Sequence, residues 1–112
     1  SRVLDIQFCI SDIARGPDGG IRSATDFVFR VREEGESSIE VIVRVPGIAC
    51  LRKDGTKLSD EHVRDYAEEF VRCEIERGTE ISNRLLLEMS SAAVAYREAM
   101  AIFSGSAQRP LP

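Results

Sequence analysis

Three stretches of the chain alternate apolar and polar residues with a period of two, the signature of strands that bury one face. "VLDIQFCI" puts Leu4, Ile6, Phe8 and Ile10 on one side. "TDFVFRVR" does the same with Thr25, Phe27, Phe29 and Val31, and "IEVIVRV" with Ile39, Val41, Val43 and Val45. The turn signals "GPDG" and "EEGE" separate them.

The registers of the two hairpins support each other. A first hairpin that pairs Arg15 with Gly20 sets Phe8 against Phe27, Ile6 against Phe29 and Leu4 against Val31. A second hairpin centred on Gly35 sets Val31 against Ile39, Phe29 against Val41 and Phe27 against Val43. Together they gather the large apolar residues on one face, which a slip of one residue would undo. The other face then carries the charge row Asp5–Arg30–Glu40 and the row Cys9–Asp26–Arg44. Opposite charges across strands favour such pairing by roughly 0.2–1 kcal/mol each.

The second half of the chain reads as helical. Residues 46–58, "PGIACLRKDGTKL", form the connection, with a basic tip and a short extra strand as one option for "IACL". Ser59 is a good N-cap, Asp60 and Glu61 suit the first turn of a helix, and Gly78 is a natural stop. Val63, Tyr66, Ala67, Phe70 and Val71 form its apolar stripe. Asp60, Arg64, Glu68, Arg72 and Glu76 lie opposite, four apart with alternating sign, as a solvated laced face. A second helix is expected from Thr79 or Ser82 to about Phe103, with Ile81, Leu85, Met89, Ala92, Tyr96, Ala99 and Phe103 turned inward.

At 112 residues the chain is one domain by length, with residues 1–103 as the folded unit and 104–112 as a loose tail. The expected class is α+β. A three-stranded antiparallel meander is followed by a helical hairpin (β-β-β-α-α) packed on one sheet face, in two layers. No apolar run reaches membrane-spanning length, and the start shows no basic region followed by an apolar stretch. A net charge of −4 argues against nucleic acid as partner. Cys9, Cys50 and Cys73 have no C-x-x-C spacing and read as reduced thiols in a cytoplasm.

Chemistry-bearing motifs are sparse, and neither a catalytic residue nor a cofactor is assigned. His62, Asp65 and Glu69 have a spacing that could bring three ligands to one helix face. The chain has no second His, so the expectation is a surface histidine and no metal. Glu74 is the anomaly of the first helix, falling one turn after Phe70 within the apolar stripe. A carboxylate there needs water or a partner's cation. With Tyr66 and Tyr96 it marks a possible pocket or partner contact, the basis of an alternative reading as a small-molecule module or enzyme. On the second helix Leu87, Val94 and Ala101 recur every seven residues away from the inward stripe, with Leu86 and Ala93 beside them. A helix apolar almost all round is normally covered on more than one side. The expected use of this strip is a homodimer or a contact with a protein partner, in an accessory or regulatory subunit. A third reading, an antitoxin-like or immunity-like inhibitor, has only the acidic surface to support it.

The segment "VPGIACLRKDGTKLSDEHVRDYA" is similar in layout to the P-G, D-G-x-T and following helix of HicB-like antitoxins. The similarity covers about a fifth of the chain, the element order elsewhere departs from that family, and no residue role carries over.

Overall fold

A computed structural model describes residues 3–80 and 84–106, with side chains as far as Phe103. The elements are β1 (Leu4–Arg15), β2 (Ile21–Glu33), β3 (Ile39–Pro46), a 3₁₀ turn (Gly47–Cys50), α1 (Asp60–Glu76), β4 (Arg84–Glu88) and α2 (Ser91–Ser106). The class is α+β. The sheet has four strands in the order β1-β2-β3-β4 and is mixed, because β4 lies parallel to β3. Parallel neighbours need a crossover, and α1 supplies it across the inner sheet face.

The β2–β3 register is the expected one. Phe27 pairs with Val43, Phe29 with Val41 and Val31 with Ile39. Arg30 faces Glu40, and Arg44 grips Asp26 through Nε at 2.9 Å and Nη2 at 3.0 Å. The β1–β2 register differs from expectation. Phe8 pairs with Phe29, Ile6 with Val31 and Leu4 with Glu33, two residues further along β2. The pairing slips between Ile13 and Arg15, and again between Phe8 and Ile10. An even displacement keeps Ile6 and Phe8 on the inner face, because side chains alternate with period two. The second slip is a bulge at Cys9 that turns Ile10 to the outer face opposite Val28, correcting its expected place beside Phe8.

The core lies between the inner sheet face and α1. It joins Phe27, Phe29, Val31, Val41, Val43 and Val45 to Val63, Tyr66, Ala67, Val71 and Ile75, with Met89 and Val94 added from the last segment. Among the described residues no polar or charged side chain is buried. Helix α1 begins and ends as its sequence indicates. The Ser59 hydroxyl accepts from the His62 N–H at 3.2 Å. At the other end Gly78 takes φ +103°, its N–H donates to Ile75 O, and the Thr79 N–H donates to Glu74 O.

The i,i+4 ladder on α1 is not the observed pairing. The close approaches are Arg64–Asp65 and Arg72–Glu69, both at 3.9 Å. Arg64, Glu68 and Arg72 are half-buried, and the Arg64 guanidinium sits 5.0 Å from the centre of the Phe8 ring. The supposed wet face therefore leans partly onto β1.

The expected helical hairpin is corrected. Residues 84–88 form an edge strand, and α2 starts at Ser91. Ile81 and Ser82 lie outside the described residues. Leucine favours helices, so "RLLLE" followed by an alanine-rich run reads as one continuous helix. Yet Leu85 and Leu87 turn to the core while Leu86 turns out, the alternation of a strand. Within 46–58, "IACL" forms no strand. A 3₁₀ turn leads instead to a single bridge, Leu51–Lys57, around the Asp54-Gly55 turn. Helix α2 reaches Ser106, past the expected start of the tail.

Candidate functional site

The described anchors of helix α2 lie in its first half. The Ser90 hydroxyl accepts from the Ala93 N–H at 3.1 Å and so caps its start. Val94 is 1% exposed and enters the core. One turn on, Glu98 accepts from Arg52 Nε at 2.7 Å, pinning the helix to the 46–58 loop. Beyond these contacts the helix is largely bare. Tyr96, Met100 and Phe103, spaced by four and three, form an uncovered stripe that ends with Phe103 at 82% exposure. Ala92, Ala95 and Ala99 are exposed as well, on a groove walled by Leu51 and Leu58.

The expected interface residues are scattered by this geometry. Val94 is a core residue, Leu87 packs partly on the core from β4, and Leu86 points outward from the opposite sheet face. Ala93 is half-buried beside Val94, and Ala101 is exposed. No single strip of helix unites them, because the seven-residue spacing crosses from strand to helix at Ser90. Tyr96 and Phe103, expected on the inner side, are exposed instead and form a free stripe with Met100.

The residues suggested for a pocket divide between two clefts on either side of the α1–α2 crossing. Tyr66 lies in one with His62, Asp65, Glu69, Arg97 and Met100, while Glu74 and Tyr96 lie in the other with Phe70 and Cys73. The His62 and Tyr66 rings stack with centroids 6.3 Å apart. Burial raises the Tyr66 phenol above its ordinary value, and Glu98 adds to this while Arg52 opposes it. Glu74 is answered within the chain, since Arg77 Nη1 and Thr79 Oγ1 each lie 3.4 Å from its carboxylate. Among the described residues the layer between sheet and helices buries no charged side chain. Both clefts are open grooves between helices, not chambers in the core.

Among the described residues no group of three His, Cys, Asp or Glu side chains is placed to hold a metal ion. His62 Nδ1 is 2.7 Å from the Ser59 hydroxyl, at an exposed helix start. The cysteines are free. Burial pushes the Cys50 thiol up, away from the thiolate a nucleophile requires, with Lys57 opposing only in part. Among the described residues no helix is long and apolar enough to cross a membrane. No known protein family, curated protein or solved structure matches this chain.

Proposed function

We propose that this chain is a protein-interaction module, an accessory or regulatory subunit, that docks through the free flank of α2. The observation that carries this is the exposed stripe Tyr96–Met100–Phe103 on a helix whose described anchors lie in its first half. Soluble monomers seldom leave contiguous apolar surface bare without a use for it. The alanines at 92, 95 and 99 allow another helix to approach closely. A second copy is the first partner to test, because an apolar helix flank is complementary to itself across a two-fold axis. Three free thiols fit a reducing compartment such as the cytoplasm.

Val94 is buried in the core and lies outside this contact, so a charge placed there would test folding rather than association. The experiment is sedimentation of the full chain against the double variant M100K/F103K. The wild type should associate at tens of micromolar, and the variant should not, at unchanged far-UV circular dichroism. Equal association of the two would overturn α2 as the docking surface.

A further inference from the structure

The outer face of the sheet, which no helix among the described residues covers, has a pattern of its own. Ile10, Val28, Ile42 and Leu86 stand side by side on the four strands and form one apolar row. Its two ends are open, with Ile10 59% and Leu86 51% exposed, and a shallow depression follows the row. One charged row flanks it on each side. The first runs Asp26–Arg44–Glu88 across β2, β3 and β4, and the second runs Arg30–Glu40–Arg84 across the same strands.

Charges alternate along each row because neighbouring strands pair, as in Asp26–Arg44 at 2.9 Å and Glu40–Arg84 at 3.0 Å. That pairing does not require the two rows to be out of phase, yet they are. On every one of the three strands the residue two before the apolar row and the residue two after it carry opposite charges.

Stacking two such sheets face to face allows two simple two-fold axes. An axis parallel to the strands, midway between β2 and β3, lays each charged row over its own copy with the strand order reversed. It sets Asp26 against Arg44 and Arg30 against Glu40 of the second copy, but it lays Glu88 over Asp12. An axis along the apolar row avoids every like-charged pair. It lays Val28 over Val28 and Ile42 over Ile42, and it sets Asp26 against Arg30, Arg44 against Glu40, and Glu88 against Arg84, each twice. On β1 the same operation sets Asp12 against the neutral Gln7, which adds no repulsion.

We propose that the outer sheet face is a contact between two copies of this chain, stacked about a two-fold axis along the row Ile10–Val28–Ile42–Leu86. It lies on the side of the sheet away from the helices and is independent of the α2 contact. The area is small. Four strands at ~4.8 Å spacing and about five residues in length give roughly 300 Å² in plan. Stable dimers bury about 800 Å² per partner. The contact is therefore a weak and reversible one, with charge complementarity selecting its orientation.

The test uses the full chain with M100K/F103K in place, so that success or failure of the α2 contact does not enter. In that background Glu88→Arg sets like charges over Arg84 of the mate, and Arg84→Glu does so over Glu88. Sedimentation equilibrium at about 100–500 μM, well above the tens of micromolar that test α2, should show a reversible dimer for the parent and at least about tenfold weaker association for either single variant. An equimolar mixture of the two restores opposite charges at both contacts and should recover association to within about threefold of the parent. Leu86→Lys, exposed and outside the core, should also dissociate the parent while keeping its melting temperature. Three results would each overturn the proposal: a parent that stays monomeric to about 500 μM, single variants that associate like the parent, or a mixture that fails to recover.

Discussion

Replacing Val94 by Ala decides where α2 packs. Val94 is 1% exposed and joins the cluster that includes Met89, Ala49 and Leu58. The substitution removes two buried carbons. At ~0.8 kcal/mol each the transfer part is about 1.6 kcal/mol. Incomplete collapse of the site adds a cavity contribution, bringing the loss to about 2–3 kcal/mol. For a domain of this size that corresponds to a melting temperature lower by roughly 8–15 °C. Phe103→Ala is the internal comparison. It removes a far larger side chain that is 82% exposed, and should cost less than about 0.5 kcal/mol. Urea unfolding followed by far-UV circular dichroism, in dilute protein, measures both. If Val94→Ala costs under ~0.5 kcal/mol, Val94 does not face the core and the packing of α2 described above is wrong.

Phe29 is fully buried beneath α1, paired with Val41 and edge-on to Phe8 at 5.8 Å, so Phe29→Ala should cost about 3–5 kcal/mol in the same assay, and under ~1 kcal/mol would refute its central place. Gly78 ends α1 at φ +103°, a region costing other residues ~1–2 kcal/mol, so Gly78→Ala should destabilise by about that amount, and a neutral result would mean the helix ends differently. The Asp54 carboxylate accepts from the Thr56 hydroxyl at 2.7 Å and from its N–H at 2.9 Å, the largest causes of a pKa below the ordinary aspartate range. Its contribution is present above the unfolded pKa and is lost as pH falls through the folded one. Thr56→Val should move the Asp54 titration, read by carboxyl NMR shifts, back upward, and no movement would remove the hydroxyl as the cause.

Local signals carried a definite part of this fold. Period-two patterning placed β2 and β3 and their register, because one residue of slip would have reversed every side chain of a one-sided sheet. Ser59 and Gly78 marked the ends of α1, because capping depends on the chemistry of neighbouring residues alone. The bulge at Cys9 was not legible, since a strand that loses one pairing and regains it keeps the same composition. The three leucines at 85–87 were ambiguous for a related reason. A short apolar run fits a helix or a strand equally well, and only the open edge of β3 made it a strand. That choice turned Val94 into the core and left Tyr96, Met100 and Phe103 uncovered. The outer face belongs to the tertiary level too. The register of β2 and β3 already aligned Arg30 with Glu40 and Asp26 with Arg44, but Arg84 and Glu88 complete the rows only once β4 lies parallel to β3.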